Sequence, residues 1–532
     1  MDRRRFLSQI PLAAAGAAVA ADDATPVPDF SFAELGVAEL APRLADGSLK
    51  AVTLAQAYLD RIAAIDAAGP ALRSVIELNP DALDIARALD QERAAKGPRG
   101  PLHGVPVLIK DNIATADRMA TTAGSLALLG AKAPRDAHLV ARLRAAGAVI
   151  LGKTNLSEWA NIRSSRSTSG WSARGGFTKH AYALDRNPSG SSSGSGTAAA
   201  ASLATLTVGT ETDGSITSPA SVQNLVGLKP TVGLVSRDGI VPISHTQDTA
   251  GPMVRSVHDC AVLLAALAGH DPRDAATKPL AGRAPVDYLA ALQGERGVKG
   301  ARIGVARSFF THHDRIDPVI EEAIGTLRAL GAVIVDPVEL PSAERYGEAE
   351  FEVLLTECKH GLNAWLAEFG RGAPVKTLAE VIAFNRREAA QEMAYFGQEL
   401  FEQAQAKGGL GSAAYRKALA TCRREGRASL ARVIARHRLD AIVAPTGGLA
   451  WLTDTVNGDH YGNASFTAPA AVAGFPHLTV PAGWALGLPV GLSFVGKAWS
   501  EATLLRIGHG FEQATRQRRA PKFLTSVGQP LR

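Results

Sequence analysis

Between residues 187 and 219 the chain reads NPSGSSSGSGTAAAASLATLTVGTETDGSITSP: two turns rich in glycine and hydroxyls around one apolar strand, Leu206-Thr207-Val208. Hydroxyls can serve as nucleophile and proton relay, and glycine-rich turns leave backbone N–H groups free to line an oxyanion site. A Gly/Ser run standing alone is a flexible linker, but a linker is not followed by a core strand and a second turn of the same kind. A third chemical group lies far upstream, where Lys110 ends the apolar run Val105-Pro106-Val107-Leu108-Ile109, ahead of Asp111 and Asn112. A lysine at a strand end usually snorkels to water. Buried, it gives up its charge readily and can act as a neutral general base. Lys110 with hydroxyls from the two turns makes a Ser-Ser-Lys device possible.

Two other motif matches carry less. Gly147-Ala-Val-Ile-Leu-Gly152-Lys153-Thr154 fits the phosphate-loop pattern, yet that loop needs its middle residues free to wrap a phosphate, and Ala148 to Leu151 reads as a strand. Gly190-Ser191-Ser192-Ser193-Gly194 fits the nucleophile elbow, which must follow a core strand directly; here Arg186-Asn187-Pro188-Ser189 is a turn. No Ser-x-x-Lys occurs. The 13 histidines are scattered, His312-His313 reads as loop surface, and no metal site or cofactor motif is legible.

The elements that must position these groups read as alternating helices and strands. Ser31-x-x-Glu34 resembles a capping box ahead of Leu35, Leu40 and Leu44, and Thr53-x-x-Gln56 opens a second helix. Asp81 can cap a third, ending at Gly97; 136–146 is helical and stops at Gly147. Strands are expected at 105–110, 148–151, 301–306, 332–335, 439–444 and 478–481, with a helix from Asp317-Pro318 and a charged helical cover over about 340–435. The pattern is that of an α/β protein with a large, mainly buried sheet. With 532 residues, 46% of them apolar, the chain can fill a large core, and one large domain is favoured over several.

The net charge of +6 is dispersed, and residues 2–5 supply two of those charges. The cluster Arg516, Arg518, Arg519, Lys522 reads as solvated surface, so no nucleic-acid partner is expected. Three distant cysteines allow at most one disulfide. At the N-terminus, Arg3-Arg4-Arg5-Phe6-Leu7 precedes a short apolar run from Ile10 to Ala21 with a small-residue cleavage site at Ala18-Val19-Ala20. Residues 1–21 therefore read as a twin-arginine export signal, and the periplasm or beyond as the destination. The run is too short for a stable membrane span, and no stable membrane association is expected.

Lys110 in IKDN, Gly190 to Gly194, and Gly209-Thr-Glu-Thr-Asp-Gly-Ser215 with its continuation Ile216-Thr-Ser-Pro-Ala together resemble the amidase signature family. So do Lys153-Thr-Asn-Leu-Ser-Glu158, Gly227-Leu-Lys-Pro-Thr231, Gly233-Leu-Val-Ser-Arg237, Gly474-Phe-Pro476, Pro481-Ala-Gly483 and Pro489-Val-Gly491. The likeness covers essentially all of residues 22–532, and within the family TETDGSITSPA and SGWSARGG (169–176) are most similar to bacterial peptide amidase. It implies one large α/β domain with a mixed sheet core covered by helices on both faces. It implies Ser215 as nucleophile, Ser191 on a cis peptide as relay, Lys110 as base, and Ser192 as a support for Lys110 or its loop. The amides of Thr212, Asp213, Gly214 and Ser215 would form the oxyanion hole.

Two positions depart from many members, which carry glycine at Asp213 and arginine at Thr217. Without that arginine the pocket is expected to be neutral and unsuited to small acidic amides. The expected function is an exported, cofactor-free serine amidase, a monomer or homodimer, releasing ammonia from carboxamides, C-terminal peptide amides first. The alternatives are a broader aryl or fatty amidase, a glutamine amidotransferase component, and a catalytically inactive binding protein.

Overall fold

The computed structural model describes residues 24–293, 297–461 and 465–527; the export reading of residues 1–21 lies outside them. Thirteen strands are formed there. Two make a small hairpin, β4 (Trp171–Ser172) and β5 (Gly176–Phe177). The other eleven form one sheet. They are β1 (Val75–Leu78), β2 (Pro106–Lys110), β3 (Val149–Thr154), β6 (Leu206–Glu211), β7 (Val226–Lys229), β8 (Thr249–Val254), β9 (Arg302–Val305), β10 (Val333–Val335), β11 (Ala441–Pro445), β12 (His477–Ala485) and β13 (Leu488–Val495). Their spatial order is β1-β3-β2-β6-β8-β7-β12-β13-β11-β9-β10. The sheet is mixed: β2 runs parallel to β3 and β6, and β9 to β10 and β11, while β8, β7, β12 and β13 pair antiparallel.

Every residue of β2, β3, β6, β8, β11 and β13 is buried. Since alternate residues of a strand face opposite sides, both faces of the sheet are covered. Helices Val257–Leu267, Asp317–Ala329 and Glu501–Thr515 pack against it, as do the short helices Ser193–Ala200 and Thr217–Val222. The stretch at 340–435 is helical as expected, with Gly347–Phe369 the longest element, followed by Leu378–Arg387, Glu399–Ala406, Ala413–Thr421 and Ser429–His437.

Several local expectations shift. The first helix begins at Val37, where Glu39, not Glu34, closes the capping box by accepting the Gly36 N–H at 2.9 Å. Glu34 instead pairs with Arg518, whose Nη2 and Nε reach its two oxygens at 2.8 and 2.9 Å. Arg518 also donates to Ala200 O (2.8 Å) and Asn224 O (3.2 Å), so this member of the basic cluster is a tie between the two ends of the fold, not solvated surface. The second helix starts at Ala51, two residues before Thr53, because Asp90 accepts the Ala51 and Val52 N–H groups. Strand β3 runs on through Lys153, which donates to Ile113 O and Thr121 Oγ1 and is unavailable to any phosphate. The three cysteines are buried and free.

Candidate active site

Strands β2 and β6 lie side by side and parallel, with Ile109 opposite Val208. Their C-terminal ends therefore emerge together, at the sheet edge where α/β folds gather their functional loops. Lys110 closes β2, and Thr210 and Glu211 close β6. Lys110 is fully buried, with Nζ 2.9 Å from Ser191 Oγ, 3.0 Å from Ser192 Oγ, 3.0 Å from Thr210 Oγ1 and 3.2 Å from Thr210 O. Ser192 gives its own hydroxyl proton to Thr210 O at 3.0 Å, so towards the lysine it can only accept. Asn112 Nδ2 donates to Thr210 Oγ1 at 3.0 Å. Of the two serines, Ser191 is the one with a proton to offer the amine. Burial pushes Lys110 down to about 7, against the opposing fields of Glu211 and Asp248; an amine so placed is substantially neutral at neutral pH.

The first glycine-rich turn presents Ser191 across a cis Gly190-Ser191 peptide. Ser189 N–H donates to Asn187 Oδ1 (2.8 Å), and Ser157 N–H to Ser191 O (3.0 Å). A side chain at Gly190 would collide with Ser157 Oγ, which explains why nothing larger stands there. Beyond the turn, the run Ser193–Ala200 forms a fully buried helix packed on the sheet. Its Gly, Ser and Ala residues let the backbone approach closely: a Cβ at Gly194 would strike the carbonyl oxygens of Ser74 and Asn155.

The second turn follows β6. Gly214 adopts a left-handed φ of +77°, and Ser192 N–H donates to Ser215 O at 3.1 Å, tying the two turns together. Glu211 Oε2 accepts the N–H groups of Ile216 (2.7 Å) and Thr217 (2.9 Å) and the Thr217 hydroxyl (3.2 Å). Thr212 Oγ1 donates to Asp248 Oδ1 at 2.5 Å, and Asp248 Oδ2 takes the amides of Ile243 (2.9 Å) and Ser244 (2.8 Å). Carboxylates thus fasten the turn on both sides. The N–H groups of Thr212, Asp213, Gly214 and Ser215 find no acceptor among the described residues.

These four residues and Gly190 line a cavity of about 370 Å³. Its other walls include Ile162, Ile243, Leu354 and Tyr461, largely apolar. Ser215 is 9% exposed. Among the described residues that line it, Asp213 is the only one with a carboxyl group. Burial raises the Asp213 carboxyl to about 6, with the charge of Glu211 pushing the same way and Thr467 and Lys229 opposing. Thr217 is turned inward to Glu211 and lies outside the cavity wall.

Residues 53–505 match the family model described as Amidase. The chain belongs to the amidase signature family. It is similar to the solved peptide amidase of Stenotrophomonas maltophilia, with 53% identity, a TM-score of 0.88, and coverage of 93% of this chain and 100% of that one. A probable amidase of Arabidopsis thaliana is 42% identical over 506 residues, 93% of each chain. A glutamyl-tRNA(Gln) amidotransferase subunit of Chloroflexus aurantiacus is 37% identical over 488 residues, covering 89% of this chain and 95% of that one. The protein is accordingly a hydrolase acting on amide C–N bonds.

In this amidase, Lys110, Ser191 and Ser192 meet within hydrogen-bond distance, and Ser215 with the amides of 212–215 opens on the adjoining cavity. Sequence alone does not single out Thr210 and Asn112, which surround the lysine, or the carboxylates Glu211 and Asp248, which hold the second turn. Thr210 does leave a signal: it stands two residues after Val208 on one strand, and so on the same face. Asp248 comes from β8's approach, 33 residues beyond Ser215, and has no local signal.

Proposed function

We propose that this amidase hydrolyses carboxamides to carboxylic acid and ammonia through an acyl-enzyme on Ser215, with C-terminal peptide amides as its substrates. The observation that carries the reading is buried Lys110, 2.9 Å from Ser191, beside a cavity onto which Ser215 and four unclaimed amides open. Neutral Lys110 takes the Ser191 proton, Ser191 takes that of Ser215, and Ser215 Oγ bonds to the amide carbon. The carbonyl electron pair moves onto oxygen, where the amides of 212–215 receive it; losing one such donor typically costs about 10²–10³ in turnover. As the C–N bond breaks, the proton returns through Ser191 to the leaving nitrogen, which departs as ammonia. Water then repeats the attack on the ester, releasing the acid and restoring Ser215.

The peptide-amide assignment leans on the 53% identity to peptide amidase and on the apolar walls, which suit a side chain beside the scissile bond. Ammonia release from peptide amides, amino-acid amides, anilides, fatty amides and glutamine tests it. Peptide amides should show the highest kcat/KM, whereas glutamine in first place would favour an amidotransferase-like role. Ser215→Ala should lower kcat by at least about 10³ with the unfolding midpoint retained; near-wild-type turnover would remove Ser215 as nucleophile. We propose also that residues 1–21 direct export through the twin-arginine route, so that Arg4→Lys with Arg5→Lys retains the protein in the cytoplasm of its host.

A further inference from the structure

The cavity at Ser215 is lined unevenly by acidic and basic residues. Among the described residues that line it there is no Lys, Arg or His, and Asp213 is its only carboxyl. Asp213 Oδ1 is buried without a hydrogen-bond partner, an arrangement that leaves a carboxylate oxygen uncompensated by the protein. Glu350, from helix Gly347–Phe369, stands close enough for the two carboxyls to repel each other; it accepts from Gln247 Nε2 at 2.9 Å. Burial first, and then this repulsion, holds Glu350 up to about 8, above Asp213. Such a pair titrates together, so over the neutral range the two carboxyls hold one proton between them and the pair carries one negative charge. The cation whose field is felt at Asp213 is Lys229, which is buried, donates to Pro230 O, and does not line the cavity.

We infer that Asp213 selects substrates by charge, favouring amides whose residue beside the scissile carbonyl brings a cation and rejecting those that bring a carboxylate. The inference rests on the reading of Ser215 as the nucleophile acting on peptide amides. It also bears on the product. Hydrolysis turns a neutral carboxamide into a carboxylate in a cavity that already holds one, and like charges at close range repel. Asp213 therefore helps to expel the acid as it forms.

Three peptide amides differing only in the C-terminal residue, lysine, norleucine or glutamate, decide the matter. The wild type should rank them lysine, norleucine, glutamate in kcat/KM. Asp213→Asn should compress the lysine-to-glutamate ratio by at least about tenfold, and should lower the inhibition constant of the norleucine peptide acid. The ratio is internal to each variant, so a uniform loss of activity cancels. Glu350→Gln removes the repulsion and should preserve or widen the ratio. A wild type indifferent to the three side chains, or a ratio unmoved by Asp213→Asn, overturns the inference. If the wild type cleaves none of the three while other amides are hydrolysed, the peptide-amide reading itself fails, and this one with it.

Discussion

Lys110 owes its low proton affinity to burial, which outweighs the fields of Glu211 and Asp248. Its four partners are two serine hydroxyls, a threonine hydroxyl and a carbonyl, all neutral, so burial prevails and brings the amine to about 7. The proposed mechanism needs the neutral form, whose fraction falls tenfold per pH unit below that value. The kcat/KM profile should therefore lose activity on the acidic side with a midpoint near pH 7, and a flat profile down to pH 5 would exclude Lys110 as base. Stability moves the opposite way from the usual paired lysine. The unfolded lysine binds a proton up to about pH 10.4, the folded one only below about 7. Unfolding thus takes up a proton in that window, and the cost of the buried amine shrinks as pH rises from 7 to 10. Lys110→Met should abolish turnover yet raise the unfolding midpoint at pH 7, an exchange of stability for function. Lys110 and the serines are readable in the sequence because motif and chemistry agree. Asp213 is readable as a departure, but its setting is not, since only the packed cavity reveals that no basic residue is among its described lining.

At the level of elements, the turn that carries Ser215 is held by carboxylates that do not line the cavity. Glu211 accepts three hydrogen bonds from the start of helix Thr217–Val222, a segment too short to fix its own direction. Glu211→Ala strips partners from two buried amides, at about 1–3 kcal/mol each. We expect kcat to fall by about tenfold or more, with KM within a few-fold and a lower unfolding midpoint. Unchanged kcat would show that the turn is rigid without its clamp. Long apolar elements such as β2, and helices with clear ends such as Ala82–Lys96, are legible from periodicity and breakers. Strands β1, β7, β8 and β13 are not. Each is short or interrupted by Gly or Pro, as in Thr249–Val254 with Gly251 and Pro252, and depends on neighbours in the sheet to form. The buried helix Ser193–Ala200 is hidden for a related reason, because glycine and serine have low intrinsic helix propensity and close packing overrides it.

Across the whole molecule, distant segments are joined by partly buried polar ties. Arg518 grips Glu34 with two hydrogen bonds and also caps the carbonyl end of helix Ser193–Ala200 through Ala200 O. Arg518→Met removes two charge-assisted hydrogen bonds from Glu34 and leaves it only the field of Arg255, at a cost of about 1–2 kcal/mol for this half-buried pair. The unfolding midpoint should drop while kcat/KM of the folded enzyme stays near wild type; no change in the midpoint would return Arg518 to the solvated surface its sequence context suggests. The class of fold is legible from alternation, but the strand order is not, because pairings such as Leu228 with Leu478 join residues 250 positions apart.

That order has a consequence for biosynthesis. Strand β12, made from residues 477–485, is inserted beside β7, made from residues 226–229, so part of the sheet's middle is supplied near the end of translation. Until β12 has been made, β7 keeps a bare edge, and an unpaired edge invites association with other chains. The walls around Ser215 given by Tyr461, Ser465 and Thr467 are late as well. A nascent chain therefore carries Lys110, Ser191 and Ser215 before these cavity walls have been made.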